Sequence, residues 1–421
     1  MAKEIKQHES KGGSLLGTIL DFGRELIMAG ADVWKVEDTL AELCDAYAFK
    51  NYYLWVNSGC VEATVQTNDG RVYTQIRDVR GKKLDVERLT RLENLAEEVI
   101  RRRMGAKMFR DRVQEILDSP GHPWYVKYIG SFMAAAGFAA FFDGDPADVA
   151  VTGIIGLILA AISDTLGRRE NNPLIYNSIA SFVMEVAVLC SVYIGLAHHS
   201  EIIGSAALLL LISGLGVMNG IKELLHANTI SGLSGILTAF LGAAGLAIGI
   251  SLTLYFTRGA LWNALNAQSP VSNKVLQTVF CTIGSVGFAL LLGAKGRTVL
   301  LSGIGAAGTW IVYLLVNDFM DGNYFAAALA AACYVAFYSN AVSKVRGIPS
   351  SVFLITAIFP LVPGSYLYRA VVAAILDEVD VQHSQVRHLL LVCLAISLGY
   401  ILMEVLYKYW RKLKTKIAGI A

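Results

Sequence analysis

The sequence predicts a mainly α-helical polytopic membrane protein in which ten transmembrane helices form two inverted five-helix repeats, preceded by a small soluble α+β domain. Three observations lead there. Charge is unevenly spread: the first 125 of the 421 residues carry 39 Asp, Glu, Lys and Arg, whereas the other 296 carry 31. The charge-poor part resolves into ten apolar segments, each near the ~20 residues that a helix needs to cross a hydrocarbon core about 30 Å thick. The first five of these segments align with the last five after a shift of 150 residues. The chain is 55% hydrophobic and 17% charged, against about 25% charged in ordinary soluble domains, which excludes a purely soluble globular protein. A net charge of +2 gives no reason to expect a nucleic-acid partner.

Residues 1–13 are polar and read as a disordered tail. The stretch after them is amphipathic and carries Asp21, Arg24 and Glu25, so it lacks the apolar core of a signal peptide, and the N-terminus is expected in the cytosol. Residues 14–125 form the cytosolic α+β domain. Helical periodicity covers 14–29 (Leu15, Ile19, Phe22, Leu26) and 33–48 (Val33, Val36, Leu40, Leu43), with a break at Gly30-Ala31. Residues 52–57, 61–67 and 71–77 are rich in Val, Tyr, Thr and Ile and read as strands, with Asn68-Asp69-Gly70 as a hairpin turn. A charged amphipathic helix follows over 85–103, and Pro120-Gly121-His122-Pro123 closes the domain. The basic residues Arg101, Arg102, Arg103, Lys107, Arg110 and Arg112 suit either anionic headgroups or a solvated helix face. Six cysteines without a Cys-x-x-Cys pair give neither a zinc site nor a disulfide framework, so no metal or cofactor is expected.

The apolar segments are 126–142, 147–166, 174–196, 201–218, 230–257, 276–293, 297–316, 323–343, 350–368 and 386–408. They group into a first repeat (126–257), an extracytoplasmic linker (258–275), a second repeat (276–408) and a basic cytosolic tail (409–421). With the N-terminus inside, the short cytosolic connections and tail hold twelve Lys and Arg and the outer ones hold four. The positive-inside rule therefore places both termini in the cytoplasm. An odd number of crossings per repeat inverts the second half relative to the first, an architecture of secondary transporters with the site at the repeat interface.

In such folds, helices interrupted by Gly or Pro at corresponding positions free backbone groups and aim helix ends at the substrate. The ninth segment contains Pro360, Pro363, Gly364, Ser365, Tyr368 and Arg369, and 150 residues earlier the fourth contains Ser213, Gly214 and Asn219. Ser213, Gly214, Asn219, Pro363, Gly364, Ser365, Tyr368 and Arg369 are thus the candidate substrate-binding set. The alternative is a packing kink without a ligand. Intramembrane carboxylates come next. Glu185 lies in mid-segment with no Lys or Arg within a turn, and its repeat equivalent is the apolar Val335, so the fold itself does not require it. It reads either as the proton-coupling group or as a carboxyl held neutral between helices. Asp164, four residues before Arg168, suits a proton pathway or an interfacial ion pair; Glu404 with Lys408 reads as such a pair. Lys222 and Glu223 read as gating or interfacial charge able to attract a carboxylate, as does Arg369. His198, His199, His383 and His388 read as solvated. The soluble domain carries no phosphate-binding glycine loop, G-x-S-x-G or metal spacing, so no enzyme is expected.

Gly30-Ala31-Asp32-Val33-Trp34-Lys35-Val36-Glu37-Asp38-Thr39-Leu40 resembles the G-A-x-x-x-R-V-E-x-x-L run of the threonine/serine exporter family. Asn219-Gly220-Ile221-Lys222-Glu223-Leu224 with Ser231-Gly232 resembles its N-A-I-R-D-L … S-G run, and Pro363-Gly364-Ser365 with Tyr368 its P-G-S-x-x-Y segment. The resemblance runs from about Leu15 to Tyr407. Ser213-Gly214 stands where the family has Pro-Gly, and Lys222-Glu223 where it has Arg-Asp. The resemblance implies export of a small carboxylate-bearing metabolite; together with Glu185 and the inverted repeats it gives the expectation of a secondary exporter of threonine or serine, proton-coupled and working by alternating access in the inner membrane. C4-dicarboxylates such as succinate are the alternative cargo. The expected partners are this small carboxylate-bearing metabolite, protons, the lipid bilayer and further copies in a homo-oligomer. A membrane-integrated hydrolase would need a nucleophile or metal set clustered at one depth, and a passive channel would lack coupling.

Overall fold

The computed structural model describes residues 2–80, 84–119, 121–167, 169–212, 214–257, 273–348 and 350–418. The chain divides into two units: Met1–His122 with Asn219–Gly235 and Leu292–Ala294, and Pro123–Met218 with Ile236–Leu291 and Lys295–Ala421.

The first unit begins with α1 (Ala2–Ala29), a single helix that also takes in residues 2–13, where composition predicts a disordered tail. Gly30 ends it at φ +104, and a Cβ there would lie 2.4 Å from Leu84 Cδ1, so both conformation and space call for glycine. After α2 (Val33–Ala46), strands β1 (Asn51–Val56), β2 (Cys60–Gln66) and β3 (Val72–Asp78) form an antiparallel sheet in the order β1-β2-β3. Tyr53 pairs with Thr64 and Thr64 with Thr74. Gly70 takes φ +84 in the turn between β2 and β3. Strand alternation turns Val61, Ala63 and Val65 into the core with Leu16, Ile19 and Leu20, while Tyr53, Trp55, Val72 and Ile76 are exposed. Helix α3 (Val86–Arg102) is capped by Asp85, whose carboxylate accepts the Arg88 N–H at 3.0 Å.

A further helix, α4 (Ala106–Asp118), is not anticipated by periodicity, because only Phe109 and Val113 of its side chains are buried. Phe109 packs on Phe22 with ring centroids 5.1 Å apart, which anchors α4 to α1. Part of the basic run is neutralised locally: Arg102 pairs with Glu98, and Arg112 with Glu115, each at 2.9 Å.

The second unit is helical. Helices α5 (Trp124–Phe141), α6 (Pro146–Thr165) and α7 (Pro173–Tyr193) follow one another, and Pro at the first position of α6 and α7 sits behind the capping residues Asp145 and Asn172. The fourth apolar segment is split into α8 (Ser200–Leu208) and α9 (Gly214–Leu225), of which Asn219 onward belongs to the first unit. Ser213 lies outside the described residues. Next come α10 (Thr229–Thr257), α11 (Lys274–Leu291), α12 (Arg297–Phe319) and α13 (Tyr324–Arg346). The ninth segment is likewise broken into α14 (Ser350–Ala357), a 3-10 turn at Phe359–Leu361 and α15 (Gly364–Ile375), and α16 (Val379–Ala418) closes the chain.

Among the described residues, seven helices (α6, α7, α10, α11, α12, α13 and α16) are long and apolar enough to cross a membrane. The pair α14/α15, bent by 41°, makes an eighth if counted as one span. The ten-span expectation exceeds this number because α5 and the α8/α9 pair do not belong to that set.

Glycine lets main chains touch in this unit. A Cβ at Gly137 would lie 2.5 Å from Gly284 N, and one at Gly287 would lie 2.4 Å from Ala134 N, so α5 and α11 meet backbone to backbone. Phe138 and Phe288 pack beside them, 5.7 Å between centroids. Gly249 presses on Ser178 and Ser181 of α7, and Gly399 presses on Leu329 and Ala332 of α13 in the same way. One apolar cluster contains Ile155, Met184, Val188, Ile203, Leu246 and Ile250, and it also receives Tyr368 and Val372 from α15.

Candidate functional site

The chain breaks before α15. Pro363 has no N–H to give, the chain at Val362 is extended, and α15 restarts at Gly364. A Cβ on Gly364 would come within 2.4 Å of Leu209 Cδ2, so the start of α15 fits closely against the turn that follows α8. Phe359 stacks on Phe288 at 3.8 Å, fixing the 3-10 turn. One turn into α15, Tyr368 is fully buried and reaches Glu185 of α7, also fully buried. The phenol donates to the Glu185 carboxyl, with Oη 3.0 Å from Oε1 and 3.2 Å from Oε2. Space for the ring depends on Gly204 of α8, where a Cβ would stand 2.3 Å from the Tyr368 ring and hydroxyl.

An ionised carboxyl at mid-bilayer costs ~3 kcal/mol even on insertion scales, so a polar partner is required. The partner found is a phenol, which hydrogen-bonds either protonation state of the carboxyl without fixing its charge.

The next residue, Arg369, forms an ion pair with Glu201 at the start of α8; the side chains are 42% and 10% exposed. Ser205, one turn along α8, has its hydroxyl buried without a hydrogen-bond partner. Glu185, Gly364, Tyr368 and Arg369 therefore gather in one unit, with Glu201 as a member the sequence reading missed. A signal existed: under the 150-residue shift Glu201 falls on the uncharged Ser351, so its charge, like that of Glu185, has no counterpart in the second half of the sequence. Ser365 is half-buried in the first turn of α15, beyond Pro363. Asp164 has its carboxylate on Lys127 Nζ at 2.6 Å; Arg168, its expected partner, lies outside the described residues.

Lys222 and Glu223, expected as gating or interfacial charge, are both engaged at the start of α2. Both belong to the first unit, as does Asn219. Lys222 is buried and pairs with Asp32 at 2.9 Å. Glu223 Oε1 accepts the Val33 N–H at 2.6 Å, capping α2 with a charge from 190 residues away. Trp34 stacks on His226, 4.2 Å between centroids at an angle of 4°, and the Ser58 N–H donates to Ser231 Oγ at 3.1 Å. The two runs resembling the exporter family thus bind each other.

His198 and His199 are also not simply solvated. Asp145 and Asp148 form a capping box at the start of α6. His198 Nδ1 lies 2.5 Å from Asp145 Oδ2, and His199 Nδ1 lies 2.6 Å from Asp148 Oδ2. Asp148 also accepts the N–H groups of His198 and His199, at 2.8 and 3.1 Å. Ligand atoms of Asp145, Asp148 and His199 fall within 4.8 Å of one another, a spacing compatible with a metal ion. All four carboxylate oxygens are already accepting hydrogen bonds, so capping and the imidazoles account for the cluster.

The hydrogen bond to Asp145 raises the His198 pKa above its ordinary 6.5. The stabilisation from this pair is therefore complete below 6.5 and is lost as the pH rises through the raised folded value. Asp145→Asn should return the His198 titration to the ordinary range when followed by imidazole NMR; a midpoint that stays high would assign the shift to another group.

Comparison with known proteins decides the family. One family model, described as "Putative threonine/serine exporter", matches residues 18–257, and a second, "Threonine/Serine exporter, ThrE", matches residues 277–406. The chain belongs to the threonine/serine exporter family. It is 22% identical over 407 residues to a "Probable threonine/serine exporter" of Mycobacterium tuberculosis, covering 90% of this chain and 74% of that protein. It is 21% identical over 309 residues to the "Threonine/serine exporter" of Corynebacterium glutamicum, covering 71% of this chain and 62% of that protein. No solved structure matches it. Family and apolar helices together make this exporter-family chain a multi-pass membrane protein.

Proposed function

We propose that the chain is a secondary active exporter of threonine and serine, coupled to protons and working by alternating access between two inverted five-span repeats in the inner membrane, with both termini cytoplasmic. The observation that carries it is the Tyr368–Glu185 hydrogen bond, which joins the broken ninth segment to a fully buried carboxyl of the first half. Substrate at the break and a proton at Glu185 would then compete for, or share, one piece of α15. Gly214 and Gly364 supply the breaks, Pro363, Ser365 and Arg369 flank the second, and Asp164 stands as a second carboxyl on the proton path.

Reciprocal contacts support the inverted arrangement. Gly137 approaches Gly284, the equivalent of position 134; Gly287, the equivalent of Gly137, approaches Ala134. Phe138 meets its own equivalent, Phe288. Pairs in which i meets j′ and j meets i′ are the mark of a two-fold axis, and five crossings per repeat lay that axis in the membrane plane.

The test is efflux from proteoliposomes holding the full chain, loaded with radiolabelled threonine, serine or succinate under an imposed pH gradient. Gradient-stimulated efflux of threonine and serine is expected. Efflux of succinate alone would transfer the chain to dicarboxylates, and flux without counterflow would make it a channel.

A further inference from the structure

We propose that Glu201 and Arg369 form a split receptor for an amino-acid zwitterion: Arg369 takes the carboxylate, Glu201 takes the ammonium, and Ser205 Oγ takes the hydroxyl of the cargo. This rests on reading the chain as an exporter, and it adds what selects the cargo.

An ion pair is the complement of a zwitterion. A carboxylate and an ammonium entering between Glu201 and Arg369 replace each group's partner in kind, so the site stays neutral whether empty or filled. The pair is open enough for exchange at Arg369, 42% exposed, and desolvated at Glu201, 10% exposed. Arg presents a planar fork suited to a carboxylate. Four residues separate Glu201 from Ser205, which puts both on one face of α8, and the adjacent Gly204 is in contact with Tyr368 of α15. That face therefore looks onto α15. Ser205 is buried there with an unused hydroxyl, a costly arrangement unless something else hydrogen-bonds it. Neither charge is a requirement of the repeat, since the equivalents of Glu201 and Arg369 are Ser351 and Asn219. Arg369 adjoins Tyr368, so capture of the carboxylate occurs one residue from the Glu185 hydrogen bond.

A C4-dicarboxylate satisfies Arg369 but turns its second carboxylate toward Glu201. Like charges at close range reject it, and the repulsion supplies specificity as much as the attraction does. Threonine stripped of its amino group, 3-hydroxybutyrate, likewise leaves Glu201 unpaired.

The experiment is counterflow of radiolabelled threonine in proteoliposomes of the full chain, with serine, alanine, 3-hydroxybutyrate and succinate as competitors. The wild type should be competed by serine and scarcely by 3-hydroxybutyrate or succinate. Glu201→Gln should raise the threonine half-saturation on the order of 10- to 100-fold, the range expected for losing a charged hydrogen bond, and should let succinate compete; Glu201→Asp should restore part of the preference. Ser205→Ala should weaken serine and threonine but leave alanine unchanged, and it keeps the proposal testable if Glu201→Gln does not fold. Unaltered threonine-to-succinate preference in Glu201→Gln, or equal loss for alanine in Ser205→Ala, overturns the receptor while leaving the exporter reading intact. A wild type without threonine counterflow overturns both.

Discussion

Glu185→Gln should abolish accumulation driven by a pH gradient while leaving threonine exchange within about twofold of wild type. Gln keeps an acceptor for the Tyr368 hydroxyl, which now reaches the carboxyl at 3.0 Å, so the packing between α7 and α15 survives and only the exchangeable proton is lost. One pH unit is worth about 1.4 kcal/mol, so a chain that moves one proton per substrate supports a roughly tenfold gradient per unit, and the variant supports none. Undiminished accumulation in proteoliposomes carrying Glu185→Gln would remove this carboxyl from coupling. Because the exchange arm reads folding and binding, a collapse of both activities would instead mark Glu185 as structural.

Glu223→Ala should loosen the first unit where α2 begins. The substitution leaves the Val33 N–H without its acceptor at 2.6 Å and Asn228 Nδ2 without its partner at 3.1 Å. Removing the acceptor from buried donors costs about 1–3 kcal/mol, or a roughly 30-fold gain in local opening for a loss of 2 kcal/mol. Hydrogen exchange of the full chain in detergent should show that acceleration over residues 31–36. Glu223→Gln, which retains an acceptor, should show much less. Equal protection in all three proteins would mean that the cap carries no weight.

Much of the helical layout is legible in the sequence because burial in hydrocarbon leaves only apolarity to read. The segment expected at 147–166 appears as Pro146–Thr165, and that at 230–257 as Thr229–Thr257. What apolarity conceals is where a helix ends: the Ser213-Gly214 pair marks a break, yet α8 already stops at Leu208, inside an unbroken apolar run, and α9 begins at Gly214. Helix α4 is hidden for the opposite reason, since two buried side chains give too weak a period beside a dense run of charge.

In the site, Glu185 stood out by its isolation from other charges, but its partner Tyr368 lies 183 residues away, and no local pattern announces such a pairing. The partners of Lys222 and Glu223 are hidden on the same ground: their spacing after a span suits gating or interfacial charge, and only the fold brings Asp32 and Val33 to them. Asp148 was within reach, because Asp145-Pro146-Ala147-Asp148 has the spacing of a capping box.

The contact between α5 and α11 limits how the molecule can move. Where two main chains touch through Gly137, Gly284 and Gly287, there is no layer of side chains to shear, and sliding one helix along the other would drive the Phe138 ring into the α11 backbone. The pair tolerates tilting but not translation, which makes it an axle. An exporter built on this axle would have to take up motion in the short pieces, α8 with nine residues and α15 with twelve, whose broken ends supply the slack that the axle lacks.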